Sequence, residues 1–138
     1  MDRRIFIGAA CAVLAITSAI PAAAHGTGET VTPNFERAIP NIPGKSLLAL
    51  VVDYAPGGAS PPHTHAKSAF IFAYVLSGEI ESKVNDGPAR IYRAGESWYE
   101  NPGATHSISR NASKTQSAKL LAIFVVDSDH RALVTPVQ

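Results

Sequence analysis

Three histidines are the residues of this sequence with the most chemical potential. His63 and His65 lie two positions apart, and His106 follows a separate Pro-Gly turn. In an extended chain, residues at i and i+2 project from the same face, about 6.6 Å apart along the strand, which suits two ligands of one metal ion. Pro61 and Pro62 deny the first segment a helical conformation. Two exposed histidines would show the same short pattern, and it is the third histidine that favours a metal site.

Composition limits the kind of protein that carries these histidines. The chain has 138 residues, of which 46% are hydrophobic and 17% are charged, as expected for one small globular domain. Twelve basic residues stand against eleven acidic ones, and no basic run is present. Nucleic acid is therefore not an expected partner.

Short strands are the elements that must position the histidines. Glu79–Val84 alternates charged residues with apolar or small ones, and Asn85-Asp86-Gly87 follows as a hairpin turn in which Gly accepts a positive φ. Phe70–Leu76 and Leu120–Val126 are apolar on both faces, as central strands of a double-layered structure would be. The expected strands are Leu47–Tyr54, Phe70–Leu76, Glu79–Val84, Ala89–Tyr92, Ser97–Glu100, Ser107–Arg110 and Lys119–Asp127, with one short strand near Phe35–Ile39. This pattern predicts an all-β sandwich or barrel with antiparallel pairing.

The first 24 residues have the pattern of a signal peptide. A basic start at Arg3-Arg4 precedes an apolar run of 16 residues, Ile5–Ile20, and small residues close it at Ala24. The run is shorter than the roughly 20 residues that a membrane anchor needs. The paired arginines also resemble a twin-arginine export signal, the alternative to the ordinary secretory route. We expect cleavage after Ala24, a periplasmic or secreted protein, an N-terminal arm over residues 25–46 and a barrel over residues 47–138.

Cleavage would remove Cys11 and Met1, which carry the only sulfur atoms of the sequence. The mature chain would then have no disulfide, and it would offer no thiolate or thioether to a metal. Structural zinc sites of the cysteine type and blue-copper sites are thereby excluded.

The segments around the histidines resemble the two motifs of the cupin family. Gly57–His65, followed by Tyr74–Glu79, is similar to the first motif: a Gly, five residues, His-x-His, and a Gly after a strand. Gly95–Asn111, with its Pro-Gly turn, its His and its final Asn, is similar to the second. The resemblance covers about half of the mature chain. It implies a cupin-type double-stranded β-helix, or jelly-roll barrel, in which His63, His65 and His106 bind a divalent metal in the barrel mouth.

One residue of the family pattern is missing. The family's glutamate ligand falls at Ile71 when counted back from Gly78, and at Phe70 when counted forward from His65. Neither side chain can bind a metal, so the expected site has three histidines and no carboxylate at its usual place. Phe70, Ile71 and Tyr99 are expected to line a dry pocket. Glu100, just before the Pro-Gly turn, is either a fourth ligand or an exposed acid at the end of a strand.

The expected function follows from three neutral ligands on a divalent ion. They leave the ion its full charge and one to three open positions, which acidifies bound water and favours an anionic or chelating substrate. In cupins, iron at such a site implies an oxygenase, whereas zinc or nickel implies Lewis-acid chemistry. Copper is also compatible, and manganese ranks lower because it prefers oxygen-rich sites.

We therefore expect a small exported metalloenzyme that acts on a small molecule, with an oxygenase favoured. The alternative is a noncatalytic cupin that binds a small ligand or a metal in the cell envelope. A homodimer, formed through edge strands and the N-terminal arm, is the expected assembly.

Overall fold

The structure is a computed structural model that describes residues 26–130 and 132–138, so the predicted signal peptide lies outside the described residues. Ten β-strands make up the described part, and no helix in it is long and apolar enough to cross a membrane. The strands are β1 (Glu29–Ala38), β2 (Lys45–Tyr54), β3 (His63–His65), β4 (Phe70–Ser77), β5 (Glu79–Val84), β6 (Arg90–Arg93), β7 (Ser97–Glu100), β8 (Thr105–Asn111), β9 (Ala118–Asp127) and β10 (Val134–Pro136).

The strands form two five-stranded antiparallel sheets. The first sheet has the order β1-β2-β9-β4-β7, and the second has the order β10-β3-β8-β5-β6. In the middle of the chain the backbone crosses back and forth between the sheets: β4 is in the first sheet, β5 and β6 are in the second, and β7 is in the first again. This arrangement is the double-stranded β-helix that the family resemblance implied.

Alternating burial along the strands produces the core between the sheets. In β9 every second side chain from Ala118 to Val126 is buried, which is the period of a strand with one face inward. The buried residues form two clusters, one that includes Val75, Ile80 and Trp98, and one that includes Ile71 and Phe124. The second cluster lies beside the histidines, because the ring of Phe124 contacts that of His65 at a centroid distance of 5.7 Å.

β3 and β10 were not among the strands expected from the sequence, and other local features differ as well. β1 covers ten residues instead of a short segment, because it pairs with β2 along almost its whole length. β8 begins at Thr105, which places His106 inside the strand. In the turn after β5, Asn85 has the positive φ (49°) instead of Gly87, and its Oδ1 accepts a hydrogen bond from the Thr105 backbone N–H.

The join between β4 and β5 depends on one glycine. Gly78 has a φ of 72°, a conformation that L side chains rarely adopt. A Cβ at this position would lie 2.6 Å from the carbonyl oxygen of Ser117, so the backbone leaves no room for a side chain. The chain therefore passes from the first sheet to the second through a turn that requires glycine.

Candidate metal centre

Two neighbouring strands bring the three histidines together. β3 carries His63 and His65, β8 carries His106, and their antiparallel register sets His63 directly opposite His106. The ring of His63 lies 4.8 Å from that of His65 and 5.3 Å from that of His106, measured between centroids. One ring nitrogen from each residue lies within 4.8 Å of the other two. The structure thus assembles the cluster that the spacing predicted.

Hydrogen bonds orient two of the three rings. His63 donates its Nδ1–H to the carbonyl oxygen of Pro61 at 2.8 Å, which leaves Nε2 with a free lone pair. His106 shares a hydrogen bond of 2.8 Å between its Nε2 and the hydroxyl of Ser82, so its Nδ1 faces the cluster. His65 is 6% exposed, and neither of its ring nitrogens makes an aligned hydrogen bond to any residue that the structure describes.

Glu100, on β7 of the opposite sheet, contacts two of the three histidines. Its carboxylate is buried, with Oε2 2.9 Å from His65 Nε2 and Oε1 3.3 Å from His106 Nδ1. The Trp98 indole N–H donates to Oε1 at 3.1 Å. The short approach to His65 lacks the alignment of a hydrogen bond, so Oε2 accepts no hydrogen bond from the described residues.

The burial of Glu100 excludes one of the two alternatives given for it in the sequence analysis. Its exposure is 2%, which rules out an exposed acid at a strand end. The reason is the register of β4 and β7, which sets Glu100 directly opposite Ile71. Ile71 is the position where counting from Gly78 places the family's glutamate. The carboxylate therefore enters the site from the adjacent strand, at the cross-strand neighbour of the expected position.

Burial sets the protonation of the cluster. Desolvation lowers the pKa of His106 to about 4, despite the opposing effect of the Glu100 carboxylate, and it also lowers the pKa of His63. Burial alone would raise the pKa of Glu100, but the neighbouring His65 and His106 outweigh it and lower that pKa. At neutral pH the site therefore holds neutral His63 and His106 imidazoles beside an ionised carboxylate.

This donor set fits a divalent cation. Imidazole nitrogens and a carboxylate are ordinary ligands of first-row metals. A buried carboxylate with a single N–H donor, next to unpartnered imidazole nitrogens, is costly without a compensating positive charge. Nitrogens on one ion at about 2.1 Å lie roughly 3.4 Å apart, so modest side-chain rotations would close the observed cluster around an ion.

A cavity of about 730 Å³ extends from the cluster between the sheets. Its walls are mainly apolar and include Leu50, Val52 and Phe124. A second polar group faces the same cavity: the Tyr54 hydroxyl hydrogen-bonds to Ser60 at 2.6 Å and to Ser109 at 2.9 Å. Burial raises the pKa of Tyr54 to about 12, so its hydroxyl keeps its proton. The cavity therefore has polar groups at the histidine cluster and at this tyrosine.

The structure corrects two of the three residues expected to line the pocket. Ile71 is 1% exposed and lies in the cavity wall. Phe70 and Tyr99 are 42% and 62% exposed and stack on each other outside the barrel, with centroids 6.0 Å apart. Residues of β4 alternate between faces, so Phe70 must point away from the cavity when Ile71 points into it. Tyr99 also points outward, because Glu100, the next residue of β7, faces inward.

Several residues of the site were not identified from the sequence. Ser82, Ser109 and Ser60 look like ordinary strand or loop serines, and nothing in their spacing connects them with the histidines. His130, which resembles a surface histidine in a charged tail, lines the cavity and donates its Nδ1–H to the Asp127 carbonyl at 2.9 Å. Only the pairing of Trp98 with Glu100 at i and i+2 gave a usable signal, because both face inward from one strand.

Sequence comparisons place this chain among known proteins. The family model described as Cupin domain matches residues 50–124. A germin-like protein of Arabidopsis thaliana, subfamily 2 member 2, is 33% identical over 107 residues, which cover 74% of this chain and 48% of that protein. Oxalate oxidase 2 of Hordeum vulgare is 32% identical over 109 residues, which cover 69% of this chain and 48% of that protein. The chain thus spans about half the length of these curated relatives.

Solved structures give the same family. An oxalate oxidase in complex with the substrate analogue glycolate superimposes with a TM-score of 0.61 and 28% identity, over 80% of this chain and 56% of that one. A double-stranded β-helix protein from Klebsiella pneumoniae superimposes with a TM-score of 0.61 at 18% identity, over 83% of this chain and 89% of that one, and shows the fold alone. Because the family match covers more than half of the chain and the barrel and its histidines agree with it, this protein belongs to the cupin family.

Proposed function

We propose that this cupin binds one divalent metal ion through His63, His65 and His106, with Glu100 as the fourth ligand, and acts on a small anionic molecule in its cavity. We further propose that the chain is exported and that the reaction is an oxidation by dioxygen. The observation that carries the proposal is the convergence of three imidazoles, one ring nitrogen of each lying within 4.8 Å of the other two, beside a buried carboxylate whose Oε2 lies 2.9 Å from His65 Nε2.

The protein side chains have distinct roles in this proposal. Pro61 and Ser82 hold the rings of His63 and His106, and the Trp98 N–H holds the carboxylate, so the ligands are oriented before the metal binds. A divalent metal held by these residues would supply a Lewis-acidic, positively charged centre for an anionic substrate. The apolar walls exclude bulk water and strengthen the attraction between the site and an anion.

Glu100 changes the metals that the site is expected to prefer. Three imidazoles alone suit Zn, Ni, Cu or Fe, and the sequence analysis ranked Mn below them. A carboxylate adds a hard oxygen ligand, which favours Mn and Fe relative to a purely nitrogen site. The same carboxylate reduces the net charge of the loaded site from +2 to +1. We therefore include Mn with Fe as the first ions to test.

The similarity to oxalate oxidases supports a small carboxylic acid as the substrate class. Oxalate oxidase 2 is named for its action on oxalate, and a related structure contains glycolate. Both molecules are small enough for the cavity of this chain, and both carry a carboxylate that would be attracted to a cationic centre. Oxalate is therefore the first candidate substrate and glycolate the first candidate ligand.

Metal content tests the site directly. The protein is purified from its producing cells without added metal, and its content is measured by elemental analysis beside His63→Ala, His106→Ala and His130→Ala. We expect about one ion per chain in the wild type and in His130→Ala, because His130 lines the cavity but lies outside the cluster. The other two variants should fold and lose the ion. Retention of one ion per chain by either would show that the site assignment is wrong.

Oxygen uptake then separates an enzyme from a binding protein. The metal-loaded protein is tested with oxalate and with a panel of small hydroxy acids and keto acids. Turnover that His63→Ala abolishes would support an oxidase or oxygenase. A small molecule recovered unchanged from the purified protein, with no oxygen uptake on any candidate, would favour the noncatalytic alternative.

A paired exchange tests the role of Glu100. Glu100→Ile removes the carboxylate and should weaken metal binding by at least about 10-fold, the effect of removing even an outer partner of a ligand. Because Ile71 lies opposite Glu100 in the β4–β7 pairing, Ile71→Glu combined with Glu100→Ile returns a carboxylate to the same pair of positions. We expect the double variant to recover part of the affinity. Unchanged affinity in Glu100→Ile would exclude Glu100 as a ligand while leaving the histidine site intact.

A further inference from the structure

The cavity has a second polar group besides the histidine cluster. Four side chains form it: Glu29 on β1, Tyr54 on β2, Ser60 in the loop before β3, and Ser109 on β8. Glu29 and Tyr54 are cross-strand neighbours, and the backbone N–H of Ser60 donates to the carbonyl oxygen of Ser109 at 2.9 Å. Backbone pairing therefore holds all four residues in place. We call them the acceptor cluster.

The directions of the hydrogen bonds in the acceptor cluster follow from counting protons. Ser60 donates its single hydroxyl proton to Glu29, so it must accept in its 2.6 Å contact with Tyr54. Tyr54 is then the donor to Ser60 and accepts from Ser109 at 2.9 Å. Glu29 accepts a second hydrogen bond, from the backbone N–H of Gly26 at 2.8 Å. The three hydroxyl protons are thereby used, whereas oxygen lone pairs remain on Ser109 and Glu29.

The acceptor cluster can therefore receive a hydrogen bond from a ligand and has no hydroxyl proton left to donate. Glu29 accepts two hydrogen bonds, as an ionised carboxylate does, and it forms no ion pair with any residue that the structure describes. The described residues that line the cavity include no lysine and no arginine. Hydrogen bonds between charged partners are about twice as strong as those between neutral ones. This part of the cavity thus favours a cationic donor, such as a protonated amine.

A short apolar stretch separates the acceptor cluster from the histidine cluster. Ser109 lies three positions beyond His106 on β8, which sets the two at most about 10 Å apart along the strand. Val52, two positions before Tyr54 on β2, lies opposite Leu120, and both belong to the cavity wall. A ligand that reaches from one cluster to the other must therefore be apolar in its middle.

The size of the cavity also favours a ligand longer than a two-carbon acid. Its volume of about 730 Å³ is within the range of roughly 300–1,000 Å³ that is typical of sites for drug-sized molecules. A two-carbon acid bound at the histidine cluster would leave the apolar wall uncovered and the carboxylate of Glu29 uncompensated. A longer molecule with a donor at its far end would satisfy both.

We propose that the preferred ligand of this cavity is a small carboxylic acid that carries a protonated amine at its other end. Its carboxylate lies at the histidine cluster, its apolar carbons lie against the wall, and its amine donates to Glu29 and Ser109. Glu29 is then a specificity-determining residue, which Tyr54 and Ser60 position. This inference rests on the metal site of the proposed function and names the substrate class of that site.

Calorimetric titration of the metal-loaded full chain tests the ligand class. The probes are straight-chain ω-amino acids of three to six carbons and, for the length that binds best, the ω-hydroxy acid and the unsubstituted acid of the same length. We expect the amino acid to bind about 10- to 100-fold more tightly than the unsubstituted acid, with the hydroxy acid between them. A hydroxy acid or an unsubstituted acid that binds as tightly as the amino acid would overturn the proposal.

Two glutamate variants locate the preference. Glu29→Gln keeps an oxygen that can accept from Ser60 and removes the charge, so the preference for the amine should disappear while the unsubstituted acid binds as before. Glu36→Gln is the matched control, because Glu36 lies on the same strand and is exposed outside the cavity. This variant should keep the preference of the wild type. A preference that survives Glu29→Gln, or that Glu36→Gln also removes, would contradict the assignment.

A measurement on the metal-free protein separates this inference from the metal site. The probe is n-butylamine, which has no carboxylate and needs only the acceptor cluster. In an NMR titration of the chelator-treated chain we expect a dissociation constant on the order of millimolar, lost in Glu29→Gln and kept in Glu36→Gln. Amine binding by a chain that takes up no metal would refute the metal site and support this inference. Metal uptake by a chain that binds no amine would refute this inference alone.

Discussion

The metal-free protein should lose stability steeply between pH 6.5 and pH 4 because of His106. Its pKa is lowered from 6.5 to about 4 in the folded chain, mainly by burial. In this pH range the unfolded chain binds a proton at His106 that the folded chain does not, so the free energy of unfolding falls as the pH falls. The stabilising contribution is complete above pH 6.5 and is lost as the pH approaches 4.

The magnitude follows from the difference in pKa. A shift of 6.5 − 4 = 2.5 units corresponds to about 3 kcal/mol at 1.36 kcal/mol per unit. His106 is 4% exposed, so solvent does not screen the effect appreciably. The lowered pKa of His63 acts in the same direction. A loss of this size is a large fraction of the 5–15 kcal/mol that typically stabilises a domain.

Urea unfolding of the chelator-treated protein at a series of pH values measures the effect. His106→Gln keeps a polar side chain near Ser82 and removes the titrating group. Between pH 6.5 and 4 the free energy of unfolding of this variant should therefore fall by about 3 kcal/mol less than that of the wild type. His130→Gln serves as the control and should follow the wild type. If His106→Gln declined as steeply as the wild type, the burial of a neutral His106 imidazole would not be the source of the pH dependence.

Three further predictions concern the residues that support the barrel and the site. Gly78→Ala should lower the free energy of unfolding by about 1–3 kcal/mol, as measured in urea, because its φ is 72° and its Cβ would approach the Ser117 carbonyl. Trp98→Phe removes the N–H that Glu100 accepts and should weaken metal binding about 10-fold in calorimetric titration, whereas unchanged affinity would deny it that role. Tyr54→Phe should lower the free energy of unfolding by about 1–2 kcal/mol, as measured by thermal or urea unfolding. The hydroxyls of Ser60 and Ser109 would each lose a hydrogen bond to Tyr54.

The local sequence pattern was sufficient to predict most strands of the barrel. Strand β5 and strand β7 have the boundaries expected from the sequence, because alternation of polar and apolar residues and the flanking turns are short-range properties. The three histidines were identified in the same way, since two positions of an extended strand fix a common face. Their approach across β3 and β8 was an expectation of the family resemblance, which the register of these two strands bears out.

It was harder to predict which residues of each strand face the interior. Phe70 and Ile71 are both apolar, so composition does not show which of them faces the cavity. The pairing of β4 with β9 and β7 decides it, by turning Ile71 inward and Phe70 outward. The same pairing turns Tyr99 outward and leaves a large apolar surface that the sequence pattern had assigned to a buried layer.

Sequence alone therefore determined the fold class, the positions of most strands and the identity of the three histidines, because these depend on residue type and short spacings. Only the tertiary structure decided that Glu100 joins them, because this depends on the register between β4 and β7, which are separated by two strands of the other sheet. Register arises from the packing of whole strands against one another. Glu100 lies 29 positions from its cross-strand neighbour Ile71 in the sequence. The packing of the strands brings these two residues together, and no local sequence pattern predicts it.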